Sequence, residues 1–177
     1  MSITQDATTV PTGTWSLDPV HSDIGFAVSY SGAGTFRGTF DEFDAKLADG
    51  NLEGSAKVAS VAVGDPIFAG HLQSPDFFDA EKNPELSFTS SSIERDGETV
   101  TIDGKLTLRG ETKDVTISGT TTGPTPDVYG KQRIAFDVET VVDRRDYGIN
   151  WNADLPSGGP ALGNDVKITA NLAFVQG

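Results

Sequence analysis

The sequence predicts an all-β domain of antiparallel strands around an apolar interior, and three observations carry that reading. From Thr14 onward large apolar residues recur at every second position. Turn residues interrupt these runs about every ten residues, as in barrels and sandwiches. Between Phe68 and Phe88 a short apolar helix and two adjacent phenylalanines break into the strand pattern. Such an insert can cap a barrel whose interior is apolar and not completely filled by side chains, which raises a cavity for a greasy ligand as the hypothesis to test.

Residues 1–12 are polar and read as a flexible tail, followed by one domain over 13–177. The first clear strand runs from Ser22 to Tyr30, where Ile24, Phe26, Val28 and Tyr30 alternate with small or polar residues. Thr35 to Leu47 continues the pattern with Phe36 and Phe40 in phase and Phe43 out of phase, so a bulge or bend is expected near Asp41 and Glu42. Further strands are expected at Ser55 to Val63, Leu86 to Ile93, Thr99 to Leu108, Lys113 to Thr122, Arg133 to Val142 and Asp165 to Val175, which makes eight in all. Strands with one apolar face must close into a barrel or stack into a sandwich to bury it. The helix is expected at about 66–73, with Asp65 as its cap, Pro66 in its first turn and Pro75 ending it. A second irregular segment, DRRDYGINWNADLPSGGPALGND, is too long for a simple hairpin, and long connections in compact domains are often functional.

The chemistry the residues permit is narrow. Thirteen basic against 26 acidic residues give a formal charge of −13, which disfavours nucleic acid and anionic membranes. There is no cysteine, hence no disulfide framework and no thiolate site. No signal-like N-terminus and no long apolar run stand out, so a cytoplasmic protein without stable membrane insertion is expected. The two histidines, His21 and His71, lack metal-ligand spacing, and no metal or cofactor is expected. If a strand starts at His21, it and Ser22 project to opposite faces, which would deny them a base and nucleophile pairing. Both histidines read as structural or as residues of a ligand mouth. Gly32-Ala33-Gly34 fails the dinucleotide fingerprint, and Asp49-Gly50-Asn51 is a turn rather than a calcium loop.

The apolar residues supply the candidate site. Those in phase to face a lumen are Ile24, Phe26, Val28, Phe36, Phe40, Phe88, Phe136 and Val138. Phe77, Phe78 and Trp151 lie in the two irregular segments, where a barrel mouth would be, and are expected to touch a ligand.

Five segments, GTWSLDPVHSDIGFAV, GHLQSPDFFDAEKNPELSFTS, GKLTLRGETKDVTI, DRRDYGINWN and LGNDVKI, resemble the YceI-like polyisoprenoid-binding proteins in order and spacing, from about Gly13 to the C-terminus. The resemblance implies an eight-stranded, lipocalin-like antiparallel barrel whose apolar lumen holds a long isoprenoid chain, such as the tail of a quinone, or another amphiphile. It implies no enzyme activity. By position, Trp15, Asp18, Pro19, His21 and Ser22 match the family's opening motif. His71, Leu72, Ser74, Phe77 and Phe78 match its helix and FF motif. Leu106, Thr107, Gly110, Arg144, Asp146, Gly148 and Ile149 match the later ones. Leu72 thereby joins the lumen set, and Arg144 joins His21 and His71 as polar residues of the mouth. Two departures stand out: Phe68 and Ala69 replace the Arg-Asp pair usual before the helix histidine, and Asn83 replaces a tyrosine.

The expected function is therefore non-catalytic binding, transport or sequestration of an isoprenoid lipid. The alternatives are a binder of a smaller amphiphile such as an antibiotic or fatty amide, a lipid-modifying enzyme drawing on His21, His71, Asp79 or Arg144, and a filled barrel acting through its surface. The residues allow a homodimer without demanding one.

Overall fold

The computed structural model describes residues 10–177. Within them the strands are β1 (Thr14–Leu17), β2 (Asp23–Tyr30), β3 (Gly34–Phe40), β4 (Phe43–Ala48), β5 (Asn51–Lys57), β6 (Val61–Ala62), β7 (Glu85–Asp96), β8 (Thr99–Leu108), β9 (Glu111–Pro126), β10 (Gln132–Asp143) and β11 (Leu162–Gln176). The one α-helix, α1 (Pro66–Gln73), follows β6. Of the expected tail, residues 1–9 lie outside the described residues. Val10 packs against the core, and the Thr12 carbonyl accepts a hydrogen bond from Trp15 Nε1 at 3.1 Å.

Three pairs of short strands behave as single interrupted strands. β1 and β2 both lie along β11, with Leu17 opposite Phe174 and Asp23 opposite Asn171. The jog between them is stitched to the same neighbour: Asp18 N donates to the Ala173 carbonyl at 2.8 Å, and Ala173 N donates to Ser22 Oγ at 2.9 Å. β3 and β4 break at Asp41-Glu42, where the bend was expected, and β5 and β6 break at the 3-10 turn Val58–Ser60. Phe40 and Phe43 would face opposite ways on an unbroken strand, and the break lets both pack inside. With each interrupted strand counted once, an antiparallel ring of eight closes between β11 and β1. Every strand pairs with its sequence neighbour, so the barrel is an up-and-down meander.

One end of the barrel is filled. Trp15, Leu47, Val100, Ile102, Ile134, Phe136 and Phe174 are buried together there, and the Phe136 and Phe174 rings meet edge-on at 6.0 Å. Outside this end a polar brace joins two turns. The Asp18 carboxylate accepts from Arg133 Nη1 at 2.8 Å and from Val20 N at 3.0 Å, and lies 2.7 Å from His21 Nδ1. Arg133 Nε donates to Asp127 at 2.7 Å. The Arg133 guanidinium and then His21 hold the Asp18 carboxyl down at about 2.

At the other end α1 and the two irregular segments cover the ring. Asp65 caps α1 by accepting from Ile67 N at 2.8 Å, Pro66 occupies its first turn, and Ser74 ends it. No helix among the described residues is long and apolar enough to cross a membrane.

Candidate functional site

A cavity of about 280 Å³ opens in the half of the barrel beneath α1. Its wall is almost wholly apolar. β2 and β3 contribute Ile24, Phe26, Val28, Tyr30, Phe36 and Phe40. β8, β10 and β11 add Leu106, Leu108, Val142, Leu162, Val166 and Ile168, and Leu86 from β7 completes the ring. Gly38 stands opposite Phe26 across the β2–β3 ladder, and a Cβ there would lie 2.5 Å from Phe26 Cζ. Only hydrogen at that position leaves Phe26 its place on the wall.

The lid is made of rings. Within α1, Leu72 is buried, and after the helix the chain turns tightly, Phe78 N donating to the Leu72 carbonyl at 2.9 Å and Asp79 N to that of Ser74 at 2.9 Å. This turn points both phenylalanines inward. Phe78 stands edge-on to Phe40 at 5.7 Å and to Phe26 at 6.3 Å. Phe77 lies 5.4 Å from Trp151, and the His71 ring meets both edge-on, at 4.9 Å from Phe77 and 5.0 Å from Trp151. His71 Nε2 reaches Asp76 Oδ2 at 3.1 Å. Phe68 packs edge-on against Phe36 at 6.1 Å yet remains half exposed, and Ile67 beside it is 80% exposed. The lid therefore carries an apolar outer rim where a longer chain could emerge.

Two arginines hold the second irregular segment in place. Arg144 is buried and lines the cavity. Its Nε donates to the Gly163 carbonyl at 2.8 Å, and its Nη1 to those of Ile149 at 3.0 Å and Trp151 at 2.7 Å. Burial pushes its guanidinium down from the ordinary arginine value. Arg109 donates from Nη1 to the Gly148 carbonyl at 3.1 Å and from Nη2 to that of Pro75 at 2.8 Å, so it ties the two irregular segments to each other. Tyr147 is buried beside them, and loss of water around its phenol pushes it up to about 12. Asn152 closes the base of the remaining loop, accepting from Leu162 N at 2.9 Å and donating to the Leu162 carbonyl at 2.8 Å.

The structure brings together Ile24, Phe26, Val28, Phe36, Phe40, Leu72, Phe77, Phe78, Trp151, His71 and Arg144 around one space. Four other expected site residues lie elsewhere. Phe136 and Val138 belong to the filled half, because alternation tells inside from outside but not height along the axis. Phe88 packs against the apolar residues of both halves, over Gly104, and forms no part of the cavity wall. His21 is 70% exposed on its side chain and stands at the opposite end, held by Asp18. Among the wall residues not expected are Val142, Leu106 and Ile168, whose apolar strand faces were legible in sequence; their nearness to the lid was not.

Among the described residues no group of three or more His, Cys, Asp or Glu side chains comes together as a metal ion would require. The ionisable groups on the cavity wall are Tyr30, His71 and Arg144. The arrangement can seat an apolar chain with a polar end near the lid.

Comparison with known proteins agrees with this architecture. The sequence profile of the YceI-like domain matches residues 15–174. A UPF0312 protein of Staphylococcus epidermidis is 33% identical over 172 residues, covering 90% of this chain and 96% of its own. The protein YceI of Escherichia coli is 32% identical over 163 residues, covering 88% and 82%. Among solved structures, Burkholderia cenocepacia BcnA superposes with a TM-score of 0.76 at 21% identity, over 89% of this chain and 98% of its own. A polyisoprenoid binding domain from Saccharophagus degradans, implicated in plant cell wall breakdown, superposes with a TM-score of 0.72 at 16% identity, over 92% and 98%. With a domain profile matched over residues 15–174 and relatives a third identical along nearly their whole length, the chain belongs to the YceI-like domain family.

Proposed function

We propose that this protein binds an isoprenoid lipid, or an amphiphile of similar girth, in the hollow half of its barrel, and carries or sequesters it without chemical change. The observation that carries this reading is the cavity itself, about 280 Å³ lined by aliphatic and aromatic side chains beneath a lid of rings. The polyisoprenoid-binding neighbour of the same fold supports the choice of lipid. The set of ionisable groups on the wall, Tyr30, His71 and Arg144, supports binding over catalysis, since His71 is engaged by Asp76 and Arg144 by three carbonyls.

Volume bounds the guest. A cavity of roughly 150 Å³ accommodates one benzene, so this cavity of about 280 Å³ seats on the order of ten apolar carbons, or about two isoprene units. A longer chain would extend past the lid over Phe68 and Ile67. The same figure favours a second reading, a short amphiphile wholly enclosed. Burial at about 0.8 kcal/mol per methylene gives roughly 8 kcal/mol gross for ten carbons. Association takes back about 4 kcal/mol or more, so the polar end matters for affinity.

The test is mass spectrometry of solvent extracts from the purified protein, followed by titration of the delipidated protein with prenyl alcohols of rising length. A co-purified prenyl species supports the isoprenoid reading, and a short amphiphile the second. Empty extracts together with no uptake of any prenyl alcohol would overturn both.

A further inference from the structure

Granted the lipid-binding reading, on which this inference rests, the apolar wall leaves the head of the lipid open, and Arg144 bears on it. Arg144 is 4% exposed, yet it takes part in none of the ion pairs formed among the described residues. The adjacent carboxylate, Asp143, is held by Arg145 at 2.6 Å. Nε and Nη1 use their hydrogens on the carbonyls of Gly163, Ile149 and Trp151, while Nη2 has no partner among the described residues. Carbonyl dipoles orient the fork without cancelling its charge. A guanidinium stays protonated even when buried; Asp143 acts on this one through space alone, its carboxylate being bonded to Arg145, so no acceptor of opposite charge meets the Arg144 fork directly. Its two unused hydrogens belong to a residue that walls a lipid-sized space. The other ionisable side chain of the lid, His71, already meets Asp76.

We propose that the guest is an acidic lipid, an apolar chain ending in a carboxylate or a phosphate, whose head accepts hydrogen bonds from Nη2 of Arg144 while its chain fills the space between Phe26, Phe78 and Ile168. The formal charge of −13 does not forbid this. Exposed carboxylates farther off than a Debye length, about 8 Å at physiological salt, are largely screened, whereas an ion pair inside the barrel is screened much less. Carboxylate and phosphate both match the planar fork of arginine.

Farnesol, farnesoic acid and farnesyl monophosphate share one tail and differ in the head, and each is titrated calorimetrically into the delipidated full-length protein. At least one acid should bind about tenfold or more tightly than farnesol, as charge-assisted hydrogen bonds are roughly twice as strong as neutral ones. The acid that shows the margin identifies the head. In Arg144→Met the ratio of acid to alcohol affinity should fall to about one. Farnesol binding as tightly as both acids, or a margin that survives in Arg144→Met, overturns the inference and leaves the lipid-binding reading standing. If none of the three binds, this inference fails, while the lipid-binding reading is decided separately by the solvent extracts and by prenyl alcohols of other lengths. Should Arg144→Met lose farnesol as well, by loosening the segment at Ile149 and Trp151, the comparison of heads on the unchanged protein still decides.

Discussion

Val142 and Phe136 project from the same face of β10, and only Val142 meets open space. They are separated by roughly 20 Å of strand at about 3.3 Å per residue. The barrel is hollow at the height of one and filled at the height of the other. Val142→Phe should therefore occupy cavity volume, weaken prenyl alcohol binding tenfold or more, and leave the melting temperature within a few degrees of the parent. Phe136→Ala should do the reverse, costing about 3–5 kcal/mol of stability, or roughly 10 °C in melting temperature, with the cavity wall intact. Thermal unfolding and titration on both variants check the pair.

Gly38 offers a way to shrink the cavity from behind its wall. A side chain there collides with the ring of Phe26, whose other side faces the cavity. Gly38→Val is expected to cost about 1–3 kcal/mol and to push Phe26 inward, shortening the longest prenyl alcohol the protein retains. An unchanged length preference would contradict this account of Phe26.

Arg109 joins Pro75 to Gly148 and so couples the two parts of the lid. In Arg109→Ala two hydrogen bonds from a charged donor are lost, a cost of about 2–4 kcal/mol. Amide hydrogen exchange should accelerate at Gly148 and Ile149 while the amides of β8 and β9 keep their protection. Uniform acceleration would mean that Arg109 supports the whole barrel rather than its lid.

The carboxyl of Asp18, held at about 2 by Arg133 and His21, makes a prediction with a definite sign. A carboxyl that is more acidic folded than unfolded contributes stability in full above its ordinary value of 3.8 and loses it as pH falls toward 2. Asp143, held at about 2 by Arg145, titrates in the same window but lies in a more exposed pair, so its share is reduced by solvent screening. Asp18→Asn should lower stability at pH 7 and flatten the decline between pH 4 and pH 2. Urea unfolding across that range measures both effects, and parallel curves for variant and parent would exclude the brace as a source of acid lability.

Asp65→Ala removes the cap of α1 and is expected to cost about 1 kcal/mol. Since α1 forms part of the lid, release of a bound prenyl probe should quicken in stopped-flow displacement more than its association does.

Much of this was legible in the amino-acid order because it is local. β8 spans Thr99–Leu108 as the alternation predicts, and Asp65-Pro66 with Pro75 brackets α1. The break at Asp41-Glu42 announced itself through Phe43 falling out of phase with Phe40. β1 was missed because its four residues show hardly more than one alternation, and it becomes a strand only by lying along β11 and β4. The placement of Phe136, Val138, Phe88 and His21 failed for a related reason. Facing inward is a property of strand parity, whereas facing the cavity depends on how eight strands are staggered, and stagger is fixed by long-range pairing. Phe77, Phe78 and Trp151, expected at a barrel mouth from their place in the irregular segments, line the cavity. Arg109 gave no signal, since its work depends on Pro75 and Gly148, which come near it only after the barrel has closed.

The proposed carrier role would require the protein to persist in two conditions, loaded and bare. Because Trp15, Phe136 and Phe174 already complete one half of the interior, that half has no need of a passenger to keep its form. Delivery, on that proposal, would disturb only the upper storey, and the vacated protein would wait on its own foundation for the next cargo.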